Sequence, residues 1–460
     1  MKNGILLVEP DFPYPNKSKH QANEVHKNFV PIGLLKLGAY YKFEKAKVKL
    51  VRGNKTKKEL VYFNPDKILI TSLFTYWSKY VWDTVKYYRE LFPNSKIVLG
   101  GVYVTLHHNT SEFKKLALSY KVSSYVGLHD EAEKFLPDYS LLHGKVDYHI
   151  MHAMRGCIRK CKFCGVWRLE PKLIYKNKEK ITREIKKVGK NKIIFFDNNF
   201  FVNPHIKDIL VALMDLRVNN GPVIFESQSG FDGRLLEKDP GLAYLLKKAR
   251  FQNVRIAWDN SIKDAPLIKK QINYLVKAGY PVKDISVFMI YNFDISYEIM
   301  MKKLAYCKKW GVQIIDCRYR PIEAIMDDYN PHSFRKGQTE KDYYIHTKAG
   351  WSDKKIREFR SKVREHNIWI RYAKDKGLKY DKRMERWSAI NNTYKFFELG
   401  VAPEMDKVEG NKVLEERIRL MNRIKNIIKK EKTKSFTLKG LSKKEIDKKI
   451  NIFLKETKKN

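Results

Sequence analysis

The sequence contains no apolar run near the ~20 residues that cross a bilayer, so nothing in it reads as a membrane span. At its start only Ile5–Val8 is apolar, stopped by Glu9 and Pro10. That stretch is too short for a signal-peptide core and lacks a small-residue cleavage site, so the expected location is cytoplasmic. Cysteine is scarce: five in 460 residues, three of them within eight positions. An odd number with that crowding argues against a disulfide framework and for metal ligation in a reducing compartment. Acidic residues are also short, 51 Asp and Glu against 92 Lys and Arg, a net charge of +41. So basic a chain favours polyanions, nucleic acid first. A bias toward lysine throughout the chain is the competing explanation. No internal repeat and no low-complexity linker is present.

The apolar patterning predicts an α/β protein. In residues 1–140, Ile5–Val8, Val48–Val51, Lys67–Thr71 and Lys96–Leu99 read as strands. Ile32–Lys42, opened by Pro31, and Ser78–Leu91 read as helices between them. Continuous apolar strands separated by helices predict a Rossmann-like, doubly wound parallel sheet. Residues 141–325 resume with different spacing. Tyr148–Met154, Lys192–Phe196, Val223–Glu226, Val254–Trp258, Ile285–Ile290 and Gln313–Cys317 are six strand candidates. Helical patterns such as Leu242–Ala249, Ile262–Ala278 and Tyr297–Lys309 separate them. Six βα units predict a partial (βα)6 TIM-type barrel with its chemistry at the carboxyl ends of the strands. Residues 326–460 lose the strand signal and read as a basic helical region.

The strongest chemical signal is Arg155-Gly156-Cys157-Ile158-Arg159-Lys160-Cys161-Lys162-Phe163-Cys164, just after the first strand of the second region. Soft thiolates at Cys157, Cys161 and Cys164 can wrap three corners of an iron–sulfur cube. The fourth iron is then left open to chelate the amino and carboxylate groups of a methionine. Basic neighbours at 155, 159, 160 and 162 favour thiolates. A structural zinc site completed by His152 or a distant histidine is the alternative. No second cysteine pair supports it: Cys307 and Cys317 lie apart, on a helix and a strand, and read as core thiols.

At these residues the chain resembles the radical S-adenosylmethionine (SAM) superfamily, whose signature C-x3-C-x-aromatic-C it carries with Phe163 as the aromatic. Asp147-Tyr148-His149 before Met154-Arg155-Gly156-Cys157, and Pro137-Asp138-Tyr139-Ser140 before that, resemble the junction in members with an N-terminal cobalamin-binding-like domain. Ile97–Val102 with Gly100-Gly101 resembles that domain's fourth strand and turn. The resemblance spans residues 1–325. It implies a [4Fe–4S] cluster, SAM cleavage to a 5′-deoxyadenosyl radical, and a low-potential electron donor. Phe163 is then expected near the adenine, and Asp197 or Asn198 on the SAM amino group. Gln228 or Ser229 would meet its carboxylate or ribose, Arg255 its carboxylate, and Asp259 its ribose. The chain departs from the family in lacking a Gly-Gly-Glu at the second strand end and glycines at the fifth. Tyr319-Arg320-Pro321 ends the sixth strand and is expected to face substrate.

Cobalamin is a further cofactor the resemblance allows, with methyl transfer as the reaction if it binds. The segment from Asp11 through His20 to His26 lacks the Asp-x-His-x-x-Gly loop of cobalt-ligating domains. In the tail, residues 331–460 carry 36 Lys and Arg against 18 Asp and Glu. Trp369, Arg371, Tyr372, Trp387, Tyr394 and Phe396 interleave with them, as nucleic-acid contacts or as a helical core. The reading from the other class is therefore a non-catalytic, metal-stabilised nucleic-acid-binding protein.

Overall fold

Ile5 to Val8 is apolar at every position because both faces of its strand are covered. In the computed structural model, which describes residues 4–14, 30–144, 146–329, 345–372 and 374, this segment is β1 (Gly4–Glu9). It pairs in parallel with β2 (Lys47–Arg52) and β3 (Lys67–Ser72), and β3 pairs with β4 (Lys96–Gly101). A short β5 (Ser123–Ser124) completes the order β2-β1-β3-β4-β5, all parallel. Side chains alternate across a strand. Leu6, Val8, Ile68, Ile70, Ile97 and Leu99 face one way, onto the helix Ser78–Leu91 through Trp77, Val81, Trp82 and Val85. Ile5, Leu7, Leu50 and Leu69 face the other, onto Leu34 and Leu35 of the helix Ile32–Phe43.

The second run of strands begins with β6 (His149–Met151) and β7 (Met154–Arg155). Its first strand is thus shorter than the pattern predicts, because His152 and Ala153 leave the ladder. β7 forms an antiparallel ribbon with β8 (Ile174–Tyr175). β9 (Lys192–Phe195) lies between β6 and, beyond a small ribbon of β10 (Arg217–Val218) and β11 (Gly221–Pro222), β12 (Ile224–Ser227). β13 (Arg255–Ala257), β14 (Ser286–Tyr291) and β15 (Gln313–Arg318) form a second parallel trio. A parallel bridge from Phe231 to Ile256 joins the two trios, so six parallel strands run in chain order.

Local chemistry sets the helix ends. Asn177 caps Lys178–Val188 by accepting the Lys180 N–H at 3.1 Å, and Gly189 ends it in the left-handed region at φ 71°. Ser296 and Gly311 do the same for Tyr297–Trp310. Phe195, Phe200, Phe225, Phe231 and Phe251 form one buried aromatic cluster beneath the first trio, with centroids as close as 4.9 Å.

The chain divides into two compact units, residues 1–15 with 28–359 and residues 16–27 with 360–460. Within the first, the segment after β15 straps back over the first sheet. Tyr103 donates to the Ile325 carbonyl at 2.7 Å, and the Lys79 N–H to the Asp327 carbonyl at 2.9 Å. Asp327 in return donates its N–H to Ser78 Oγ at 2.7 Å. The boundary expected between residues 325 and 326 therefore falls inside this strap. Of the tail residues singled out above, Trp369, Arg371 and Tyr372 lie on the helix Asp353–Tyr372. Trp387, Tyr394 and Phe396 lie outside the described residues, as do His20 and His26 and the side chain of Tyr372. No helix among the described residues is long and apolar enough to cross a membrane.

Candidate functional site

The cysteine loop hangs from a pinched base. The β7–β8 ribbon pairs Met154 with Tyr175 and Arg155 with Ile174, closing residues 156–173 into one excursion. Gly156 enters it at φ 82°, where a Cβ would sit 2.6 Å from the Lys172 carbonyl oxygen, so only glycine fits. Glu170 then gathers the neck. It accepts the Gly156 N–H at 2.8 Å, Arg155 Nη1 at 2.9 Å and Asn198 Nδ2 at 2.7 Å. Arg155 also reaches Glu133 at 2.8 Å, which is paired with Lys36 at 2.9 Å.

All three thiols of the loop are half-buried. Burial pushes the Cys161 and Cys164 thiols up, and the nearby cysteines and Asp259 add to it. Cys157 Sγ accepts the Arg159 N–H at 3.4 Å and faces Asn199 Nδ2 at 3.9 Å. Asn199 Nδ2 also donates to Asp232 at 3.2 Å, while its Oδ1 is buried without a partner. Asp232 accepts from Arg159 at 3.0 Å and from Arg234 at 2.8 Å. Burial alone would raise its carboxyl, but the two guanidiniums hold it low. Two of the four basic residues expected to activate the thiols are thus paired with carboxylates: Arg155 with Glu170 and Glu133, Arg159 with Asp232.

The expected SAM-contact residues separate into two groups. Asp197 is fully buried at the end of β9 and gives both oxygens to backbone, at 3.1 Å to the Ala153 N–H and 2.6 Å to the Met154 N–H. Burial lifts its carboxyl to about 7 against those two bonds. Arg255 is no surface side chain: it is buried, ion-paired with Glu226, and donates to the Ser227 carbonyl at 2.7 Å. Both brace the strand ends. Asn198 is held by Glu170, and Asp259 accepts the Ile290 N–H at 3.1 Å. Gln228 is half-buried and Ser229 exposed after β12, where Gly230 (φ 74°) packs against the Arg255 backbone. Phe163 is half-buried and meets Phe293 edge-on at 5.9 Å.

Asn199, Asp232 and Glu170 are functional candidates that spacing alone does not single out. The signal for Asp232 is its place as the helix cap before Gly233, where its side chain accepts the Arg234 N–H. Of the remaining cysteines, Cys307 is buried as expected. Cys317 is exposed at the carboxyl end of β15, not in the core as expected.

A cube with three cysteine corners suits this donor set. The thiols share one loop, soft sulfur is the right ligand, and the Asn199 amide, whose Nδ2 faces Cys157, has a buried oxygen without a partner. Among the described residues no three His, Cys, Asp or Glu side chains converge on a single ion position. Gly101 (φ 99°) is required by packing, since a Cβ there would lie 2.4 Å from the Ser72 carbonyl oxygen. Beyond the ends of β1 and β3, Phe12 and Tyr14 pack on Trp77, at 5.1 and 5.3 Å between centroids.

Residues 151–261 match the family model described as the Radical SAM superfamily. No curated protein matches the chain. Among solved structures, SuiB of Streptococcus suis bound to S-adenosylmethionine is similar at 17% identity and a TM-score of 0.25. That likeness covers 41% of this chain and 41% of SuiB, so the chain spans about two fifths of SuiB's length. The carboxyl transferase domain of Rhizobium etli pyruvate carboxylase with pyruvate gives 12% identity and a TM-score of 0.22, over 93% of this chain and 63% of that one. Neither superposition bears on the fold. The match encloses the cysteine loop, so residues 151–261 are similar to radical SAM domains, and that similarity supports an enzyme.

Proposed function

We propose that Cys157, Cys161 and Cys164 hold a [4Fe–4S] cluster and that the protein cleaves SAM reductively to functionalise a carbon–hydrogen bond of an organic substrate. Bound there, the cluster would supply the electron and SAM the 5′-deoxyadenosyl radical. The chain's own residues position and shield. Glu170, Gly156 and Asp197 fix the neck of the loop. Asn199, whose Nδ2 lies 3.9 Å from Cys157 Sγ and donates to Asp232, steadies the first thiol of the loop. Asn198, Gln228, Ser229 and Asp259 at the strand ends, with Phe163 on the loop, are the proposed contacts for the rest of the nucleotide. Asp197 and Arg255 support them from behind.

The observation that carries this reading is the trio of half-buried thiols on a single loop. Anaerobic reconstitution tests it. The protein should take up about four irons with charge-transfer absorption and release 5′-deoxyadenosine under reduction. A colourless zinc protein silent toward SAM would overturn it.

A further inference from the structure

A cavity of 260 Å³ opens where the carboxyl ends of the first sheet meet those of the second strand run. Phe74 and Tyr76 follow β3, Phe163 sits on the cysteine loop, and Tyr319 follows β15; all four rings line it. Phe74 and Tyr76 stack at 4.9 Å and 9°. Arg318 and Arg320 line the same cavity, and none of its described lining residues is acidic. The Arg320 guanidinium lies 5.0 Å from the Tyr76 ring and 4.3 Å from Tyr329, and donates to Tyr329 Oη at 2.9 Å. Its Nε–H is buried without a partner. A buried donor left unpaired is costly, so a ligand acceptor there is favoured.

We propose that this cavity seats a small aryl acid: one aromatic ring on a short arm that ends in a carboxylate. Size and chemistry agree on that class. A pocket of about 150 Å³ holds one benzene ring. The remaining ~110 Å³ takes three or four further heavy atoms at about 30 Å³ each. Rings around the ring and guanidiniums at the arm's end match such a molecule. A corrin is several times too large. Phe163 borders both the cavity and the cysteine loop, so a ligand held here lies at the loop's edge. Its role as substrate rests on the radical SAM reading; its binding does not.

The test uses the full chain without reconstitution, with hydrocinnamate and its neutral amide as calorimetric probes. Hydrocinnamate should bind about tenfold or more tightly than the amide, the worth of one charge-assisted hydrogen bond. Arg320→Gln should erase that preference. Because Arg320 also steadies Tyr329, Arg318→Gln is measured beside it and should weaken the acid alone. Leu106→Trp, which places an indole in the cavity, should abolish both affinities without lowering the melting temperature. Equal affinity for acid and amide, no binding of either, or displacement of the acid by adenosine would overturn the proposal. SAM cleavage by reconstituted protein is scored separately. Cleavage without acid binding removes the seat alone, and acid binding without cleavage removes the radical reading alone.

Discussion

The Asp197 carboxylate receives the Met154 N–H at 2.6 Å, so the end of one buried strand fixes the last turn of backbone before the cysteine loop. With the Ala153 N–H on its other oxygen, it replaces the ladder that β6 gives up at His152. Asp197→Ala should strand two buried donors, each worth about 1–3 kcal/mol. A loss of roughly 2–6 kcal/mol in denaturant unfolding is expected, with reduced iron uptake. Asp197→Asn keeps one acceptor and should fall between wild type and Asp197→Ala.

Gly156→Ala tests the neck. The new methyl would sit 2.6 Å from the Lys172 oxygen, at a backbone angle that side chains avoid. A cost of about 1–3 kcal/mol is expected, read as lower iron content after reconstitution at unchanged circular dichroism. Gly144→Ala separates clash from strain, since Gly144 has φ 98° but nothing within 4 Å of its added Cβ. Equal iron loss in both variants would show that the crowding at 156 is irrelevant.

Glu184 supplies a pH dependence. It accepts from His149 Nε2 at 3.1 Å and Lys176 at 2.6 Å. Burial would raise its carboxyl, but these donors outweigh that and hold it at about 2, below the ordinary 4.5. Its ionised form therefore stabilises the fold. The contribution is complete above 4.5 and is lost as pH falls through 2. Melting temperatures across that window should drop more steeply for wild type than for Glu184→Gln. Parallel curves would remove Glu184 from the account.

The strap is tested at Ser78. Ser78→Ala leaves the buried Asp327 N–H without its 2.7 Å acceptor, a loss of about 1–3 kcal/mol. Limited proteolysis should then nick residues 322–329 sooner than in wild type. An unchanged digestion pattern would show that the strap is held elsewhere.

The parallel strands were largely legible in the sequence. Ser78–Leu91 is the helix its spacing implies, and Lys192–Phe196 and Gln313–Cys317 come within a residue of the observed strands. Apolar runs and helical periods survive because burial on both faces dictates them. The cysteine trio stands out in the sequence for a different reason: its spacing is local. What the sequence hid is long-range. Glu170 meets Asn198, and Asn199 meets Asp232, only after the strands align, and no local pattern records such pairs. Asp197 misleads for the same reason. It stands at a strand end where a ligand contact is expected, yet its partners are two N–H groups 43 and 44 residues away. Cys317 looked like core from its apolar strand, yet it is exposed at the end of β15.

The strap has a mechanical consequence. The first sheet is joined to the second strand run by the segment near Tyr139 and again by residues 322–329. A body suspended at two points does not swing open like a door. To admit a molecule between Tyr76 and Tyr319, one side chain after another must step aside while both moorings hold. Entry should therefore be slow and selective for slender guests.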